Sequence, residues 1–277
     1  MNLLWAILIA VGAVCVSVTA MLLVRRRAPG GSYFADGDRA AGVFGVLATG
    51  FSVLLGFIVF LAFSSYDQSR AGAESEALIL TQQVETAQLL PQPVARKLTG
   101  DLVCYARSVV HLEWPRMQNG TMAEGFNPWA VAMFRTIQGY EPVNNRQQAA
   151  YSQWLSQTSA REEARRDRIH GAVGVIPASV WIVLFVIGAV IFAFMLFFAD
   201  PEEGAVTQSM LMAAVTIVIV TMFLVIRALD SPFHPGVGGL RPVAMARATG
   251  NIDRALAIVG RNGVRIPCDA SGAAVSS

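Results

Sequence analysis

The residues with the clearest chemical potential lie in the stretch ARSVVHLEWPRMQNG, residues 106–120. His111 and Glu113 are two positions apart, and an imidazole beside a carboxylate can move protons or bind a metal ion. A zinc site needs three or four ligands, and the chain has only two other histidines, His170 and His234. Because neither lies at a ligand spacing from His111, we expect a structural corner here and no metal site.

No other stretch carries a familiar catalytic or cofactor-binding motif. The sequence contains no phosphate-binding Gly-rich loop, no nucleophile elbow, no metalloprotease motif and no paired-cysteine metal motif. We therefore expect neither enzymatic activity nor a cofactor. The net charge is only +2, and basic residues form no long block, so nucleic acid is not an expected partner.

Charged residues are scarce because they are missing from four long blocks. They make up 14% of the 277 residues, whereas a soluble domain has about 25%. The apolar blocks cover residues 3–24, 42–63, 172–199 and 205–226. Each is long enough to cross a bilayer, and backbone groups in lipid must hydrogen bond within their own segment, so four transmembrane helices are predicted. The predicted fold class is an all-α polytopic membrane protein, with the lipid bilayer as its first partner.

The four spans divide the chain into segments of different character. Residues 1–64 hold helices 1 and 2, residues 65–170 form a helical extramembrane domain, residues 171–230 hold helices 3 and 4, and residues 231–277 form a tail with a short helix. We expect helix 2 to extend into the domain through residues 67–90. A helix from about residue 144 to 169 should run into the third span, where Pro177 predicts a kink. Its charges, from Arg161 to Asp167, are interpreted as a solvated or salt-bridged face.

One apolar stripe predicts the central helix of the domain. Its members recur every three or four residues, as on one helical face. Pro115 is expected to end this helix at Trp114, because the residue before proline is disfavoured in helical conformation. Asn119 and Gly120 then predict a turn. The stripe consists of Val94, Leu98, Leu102, Tyr105, Val109 and Leu112.

Small residues recur at four-residue spacing along the second predicted span, AGVFGVLATGFSVLLGFIVFLAF. Such spacing lets helix backbones approach closely. One interpretation is packing within a single bundle; the other is an oligomer in which this helix lines a central passage. In the second case bulky apolar side chains could form a constriction that gates by dewetting. The small residues are Ala41, Gly45, Thr49, Ala48, Ser52 and Gly56, and the bulky ones are Phe44, Phe51, Ile58 and Phe60.

The charges beside the spans give conflicting signals about orientation. The arginine triplet at residues 25–27 favours a cytoplasmic first loop, which would place both termini and the helical domain outside the cytoplasm of a bacterial inner (plasma) membrane. Arginines before the third span and after the fourth favour the opposite orientation. We adopt the first reading, since long domains translocate largely regardless of charge. Cys104 and Cys268 then lie on one side, where they could pair if it is oxidising or could be two unrelated thiols.

Three motifs resemble the bestrophin-like family of bacterial membrane proteins. They are YDQSRAGAESEA at residues 66–77, CYARSVVHLEWPRM at residues 104–117 and LDSPFHPG at residues 229–236. The resemblance covers about residues 40–260. Within the motifs, the residues expected to have structural roles are Asp67, Glu113, Trp114, Pro115, Asp230, Pro232 and Phe233.

The resemblance implies a function. Bestrophins are pentameric anion channels with four membrane helices per subunit, in which the second helix lines the pore and both termini are cytosolic. That orientation is opposite to the one indicated by the arginine triplet. The acidic residues Asp200, Glu202 and Glu203 lie on the loop opposite the large domain, so they do not match a bestrophin calcium site and calcium gating is not expected.

Two functional hypotheses follow from the sequence. The first is a homo-oligomeric bestrophin-like channel, conducting anions, with transmembrane helix 2 at its axis. The second is a non-conducting membrane scaffold or envelope sensor whose helical domain binds a partner or ligand. The uncharged spans are compatible with the first, and the absence of a catalytic set is compatible with both.

Overall fold

The computed structural model describes residues 3–27, 33, 37–121, 127–198, 204–259 and 263–275. Within these ranges it contains nine α-helices and no β-strand other than an isolated bridge between Cys268 and Ala274. A π-helical turn, Val109–Glu113, joins the third and fourth helices. The helices are α1 (Leu3–Arg27), α2 (Gly37–Ala87), α3 (Gln92–Ser108), α4 (Trp114–Gln118), α5 (Pro128–Gln138), α6 (Asn145–His170), α7 (Ala178–Phe197), α8 (Ala205–Leu229) and α9 (Val243–Val259).

Four of these helices are long and apolar enough to cross a membrane. They are α1, α2, α7 and α8, with 25, 51, 20 and 25 residues. The predicted all-α fold class with four transmembrane helices is therefore confirmed. The 51 residues of α2 form one uninterrupted helix, as expected from a span that continues into the following segment.

The described residues group into two compact units. The first comprises residues 1–65, 174–230 and 235–238; the second comprises residues 66–173, 231–234 and 239–277. Most of the tail thus groups with the helical segment in the contacts that the structure shows, whereas the sequence-based division treats it separately. That division stays a prediction.

The core of the first unit is formed by apolar side chains of α2, α7 and α8. Phe51 and Leu55 of α2 are buried against residues of the two later helices, among them Leu184 and Ile219. Helix α1 packs on α8, where Thr216 donates a hydrogen bond to Ser17 over 2.8 Å. Many other apolar side chains of these helices are exposed, as expected for a surface in contact with lipid.

The core of the second unit is built around α3. Leu98, Leu102, Tyr105 and Val109 are fully buried, so the predicted apolar stripe is confirmed at its centre. Side chains of α5 and α9 complete this core. From α5 they are Trp129, Met133 and Ile137, and from α9 they are Met245, Ala248 and Ile252.

Two sequence-based helix boundaries are wrong. Helix α6 ends at His170, and α7 begins at Ala178 after an extended Pro177. Gly174 between them has φ +79°, a conformation that other residues rarely adopt. The helix therefore stops before the third span, and Pro177 precedes the span where a kink within it was expected.

The second wrong boundary is the expected stop at Trp114. This residue is helical, with φ −59° and ψ −47°, and its amide donates to the carbonyl of Val109. The wider π turn places Pro115 at the start of α4, where its missing amide breaks no α-helical hydrogen bond. The predicted turn at Asn119 and Gly120 is confirmed, and Gly120 has φ +71°.

Candidate functional site

Small residues of α2 lie on a face that is exposed among the described residues of the first unit. Gly45, Thr49, Ser52 and Gly56 are exposed. A methyl group added at Gly45 or Gly56 would meet nothing within 4 Å. We call these four residues the open face of α2. Such a surface can accept another helix at close range or can border an aqueous passage.

The bulky residues of α2 divide between two environments. Phe60 is exposed on 66% of its surface, whereas Phe51 is only 4% exposed. The ring of Phe51 packs edge-on against Phe223, with 6.3 Å between centroids, and Ile58 belongs to the same core. Phe44 is half-buried and lies 5.9 Å from Phe198. Of the predicted constriction residues, only Phe60 is therefore largely exposed, and Phe51 contributes to helix packing.

A buried network of charges lies in the second unit. Arg168 of α6 and Glu76 of α2 have fully buried side chains and form an ion pair in which Nε and Nη2 both donate. Nη2 also donates to Glu113 over 2.6 Å. Arg165 donates to the other oxygen of Glu113 over 3.2 Å, and Tyr105 donates to Glu76 over 2.5 Å. Two carboxylates are thus held by two arginines and one phenol.

Asn127 and a third arginine extend this network. Asn127 donates through Nδ2 to Glu113 over 3.0 Å and to Ser108 over 2.8 Å. Arg161 lies over the ring of Tyr105, 4.8 Å from its centroid, and donates to Gln83 over 2.8 Å. These contacts satisfy most of the polar atoms that burial removes from water, as a stable buried network requires.

Within the network, the pKa values of Glu113 and Arg168 are both shifted toward the charged form. Burial alone would raise the pKa of Glu113, but attraction to Arg168 and Arg165 outweighs it and lowers that pKa. Burial opposes the charge of Arg168, yet Glu76 and Glu113 together raise its pKa further above its ordinary value. Burial and the charge of Glu76 raise the pKa of Tyr105. Groups held in fixed protonation states stabilise structure and are poorly suited to proton transfer near neutral pH.

The opening motif is therefore divided between two environments. His111 is exposed, while Glu113 is buried in the charge network. Of the two arginines that bind Glu113, Arg165 belongs to the segment from Arg161 to Asp167 that the sequence predicts as a charged face, and Arg168 follows directly after it. The side of α6 that carries Arg161, Arg165 and Arg168 is buried, with exposures of 1%, 7% and 0%, whereas Glu163 and Arg166 are exposed. The spacing of the buried arginines, four and three residues, places them on one helical side, which is the signal that could have identified them.

The remaining motif residues have structural contacts within their own units. Trp114 donates through Nε1 to the carbonyl of Leu240 over 3.3 Å and packs edge-on against Phe233. In the same unit, a methyl group added at Gly171 would approach Pro232 to 2.8 Å, and Asp67 is exposed.

In the first unit, the carboxylate of Asp230 accepts hydrogen bonds from the backbone amides that precede α7. Its Oδ1 accepts hydrogen bonds from Val175 and Ile176 over 2.8 and 2.9 Å. The adjacent Gly174 has no side chain, and a methyl group there would lie 3.2 Å from the same carboxylate. Asp230 therefore fixes the connection into the third span through backbone contacts.

Two cysteines join the tail to the central helix of the second unit. Cys104 of α3 and Cys268 are linked by a disulfide and separated by 164 residues in sequence. Both are buried, while Cys15 in α1 is a free, exposed thiol. In the part of the chain that the structure describes, no group of three or more His, Cys, Asp or Glu residues could hold a metal ion. Asp200, Glu202 and Glu203 lie outside the described residues.

These features define an all-α membrane protein with four spans, a continuous second helix and a helical domain with a buried charge network. The chain belongs to the bestrophin-like family, because the sequence model of that family, described as the Bestrophin-like domain, matches residues 11–244. The family expected from the three sequence motifs is thereby confirmed.

Solved structures of bacterial bestrophin homologues share this fold. One from Klebsiella pneumoniae, solved by Zn-SAD phasing, is 13% identical, with a TM-score of 0.66 over 92% of this chain and 97% of that chain. A substituted form of the Klebsiella pneumoniae homologue has a TM-score of 0.67 at 13% identity and covers 94% and 100% of the two chains. A structure described only as a membrane protein has a TM-score of 0.69 at 13% identity, covering 91% and 98%. Among curated proteins, no sequence matches this one.

Proposed function

We propose that the protein is a homo-oligomeric anion channel in which α2 of each subunit borders the permeation path. The observation that carries the proposal is the open face of α2. Small residues on a transmembrane helix allow another helix to approach closely, and an exposed helix face in an oligomer can border a passage. Membership of the bestrophin-like family supports the same assignment, since bestrophins are channels whose second helix lines the pore.

The preference for anions is taken from the bestrophins. Residues 42–63 contain neither the Asp or Glu of cation-channel rings nor the Lys or Arg of anion-pore rings. Phe60 lies exposed one turn after Gly56, where repeated copies of its ring would narrow a passage by apolar contact. A constriction of this kind excludes ions when it is dry and conducts when it is wetted.

The flux of ions from liposomes tests this function directly. Purified protein is reconstituted, and chloride efflux is compared with potassium efflux for the unaltered chain and for Gly56→Leu. We expect chloride flux that Gly56→Leu reduces at least tenfold. The matched control is Gly12→Leu in α1, where a side chain also meets open space and where flux should persist.

The subunit number is measured on the same preparations by cross-linking and by light scattering of the detergent complex. A folded oligomer that passes neither ion would contradict the channel. It would favour the scaffold or sensor hypothesis, in which the second unit binds a partner or ligand. A monomer would contradict the oligomeric arrangement itself.

We also propose that the protein lies in the bacterial inner (plasma) membrane with both termini and the helical domain outside the cytoplasm. The arginines at residues 25–27 and the Cys104–Cys268 disulfide support this orientation. Disulfides persist in oxidising compartments and are rare in the cytosol.

A further inference from the structure

A pocket of about 390 Å³ lies within the second unit. It is bordered by α2, the π-helical turn and the start of α9. Its volume is in the range of small-molecule sites. Buried apolar groups line it, including Val109, Trp114 and Met245, and they provide a surface for the apolar part of a ligand.

Arginines supply the polar part of the pocket lining. Arg70, Arg241 and Arg247 all line it and are exposed. Arg70 is paired with Glu74 over 3.1 Å. Among the described residues, Arg241 and Arg247 have no ion pair or side-chain hydrogen bond. The exposed lining therefore carries an excess of positive charge, while Arg168 and Glu76 at its buried side neutralise each other.

The first turn of α9 borders the same pocket. Ala244 and Met245 line it, and their amides bond to no acceptor in the described part of the chain. By contrast, the amide of Ala246 is bonded to Pro242 over 2.9 Å. Unpaired amides at a helix N-terminus favour an anion, especially next to arginines.

We propose that this pocket binds a small organic anion, namely a phosphate or carboxylate group attached to an apolar body. The anionic group meets Arg241, Arg247 and the amides of α9, and the apolar body contacts Trp114 and Val109. A free metabolite and the headgroup of an anionic lipid both offer this chemistry. The experiment below has an arm for each source.

Thermal unfolding of the purified full chain in detergent tests the first source. Phenyl phosphate is titrated as the probe, with inorganic phosphate as the comparison that lacks an apolar body. A ligand that binds only the folded state raises Tm with concentration. We expect a saturable rise with phenyl phosphate and a smaller one with inorganic phosphate. In the double variant Arg241→Gln, Arg247→Gln the apparent affinity should fall at least tenfold.

The matched control is Arg254→Gln on the same helix. Arg254 lies outside the pocket lining and bonds to Gly250 and Asn251 of its own helix. Its replacement should leave the affinity for phenyl phosphate unchanged. If Arg254→Gln weakens binding as much as the double variant does, the effect is general charge attraction and the site is disproved.

The second arm replaces the probe with short-chain phosphatidylglycerol, compared with phosphatidylcholine of the same chain length. Stabilisation by phosphatidylglycerol that depends on Arg241 and Arg247, without an effect of phenyl phosphate, would assign the site to a lipid headgroup. The absence of saturable stabilisation by either probe would overturn the proposal. Because the readout is Tm, the result is independent of whether the protein conducts ions.

Discussion

Arg168 is the residue on which the buried charges of the second unit depend. It binds both Glu76 and Glu113, and its side chain is completely buried. In Arg168→Met the apolar stem is largely kept, but two buried carboxylates lose their main counter-charge. Removal of one partner from a buried ion pair costs about 3–5 kcal/mol. We expect a loss of that size in the free energy of unfolding, measured by tryptophan fluorescence during denaturation in detergent.

A neighbouring arginine provides the control for this substitution. Arg166 lies two residues earlier on α6 and is exposed. Arg166→Met removes the same charge and should change stability by no more than about 0.5 kcal/mol, as is usual for surface positions. If Arg168→Met and Arg166→Met lower the free energy of unfolding equally, the loss comes from removing one positive charge and not from breaking the buried network.

Asp101 makes the stability of the second unit depend on pH. Its Oδ2 has no hydrogen-bond partner among the described residues. Burial raises its pKa to about 6, and attraction to Lys97 opposes the rise; Arg96 and Arg265 line the adjacent pocket. The folded protein therefore holds this proton more tightly than the unfolded chain does. Its contribution to stability is present below about pH 4 and is lost as pH rises through about 6.

The replacement Asp101→Asn keeps the shape of this side chain and removes its titration. At pH 8 we expect the variant to be more stable than the unaltered protein by on the order of 1 kcal/mol, because the buried charge is gone. At pH 4 the two should have similar Tm values. The exposed Glu85 supplies a control, since Glu85→Gln should change Tm little at either pH. A Tm gain that is the same at both pH values would contradict a raised pKa for Asp101.

At the scale of single residues, sequence patterns identify important positions better than their partners. Glu113 is part of a motif that is visible in the sequence, but its ion-pair partners lie 52 and 55 residues away. The spacing of Arg161, Arg165 and Arg168 places them on one side of α6, but it does not show that this side is buried. Only the assembled helices bring Arg165 and Arg168 to this carboxylate.

At the scale of elements, one glycine sets how closely α2 and α6 pack within the second unit. A methyl group at Gly72 would lie 2.5 Å from the amide nitrogen of Arg168 and 2.8 Å from the carbonyl oxygen of Ala164. Gly72→Ala should therefore separate the helices and cost about 1–3 kcal/mol, the usual range for overpacking. Gly45→Ala on the same helix meets open space, and it should be neutral or stabilise by up to about 1 kcal/mol.

The Tm values of these two variants, measured side by side, separate packing from helix propensity. If the Tm rises in both Gly72→Ala and Gly45→Ala, then α6 can shift at no cost and the close approach of the two helices is not required. A decrease confined to Gly72→Ala would show that this glycine allows the contact between the two helices.

Local periodicity predicts the helices well and their ends less well. The apolar stripe of α3 and the continuous α2 follow from patterns within one segment, so they are visible in the sequence. The break between α6 and α7 contains Gly174 with a positive φ and an extended Pro177, and the helical Trp114 follows a π turn. The rule that the residue before proline leaves the helix considers only neighbouring residues. It therefore cannot predict the π turn, which depends on packing around α3.

At the scale of the whole molecule, the membrane class follows from composition, and the four spans follow from the positions of the apolar blocks. The grouping of residues 239–277 with the helical segment does not. It depends on contacts between residues far apart in sequence, of which the clearest is the Cys104–Cys268 disulfide across 164 residues. Closing so long a loop restricts the unfolded chain, which in the chain-entropy model contributes about 4–5 kcal/mol.

The same disulfide makes the orientation testable in intact cells. If the helical domain faces the oxidising side, a digest made without reductant, after free thiols are blocked, should contain linked Cys104 and Cys268 peptides. Cys104→Ser should then lower the Tm of the purified protein, and added reductant should lower the wild-type Tm to a similar value. Cys15→Ser, which removes the free thiol of α1, should change neither result. Fully reduced cysteines in freshly blocked cells would place the domain in the cytoplasm, and the arginines at residues 25–27 would then lie on the outer side.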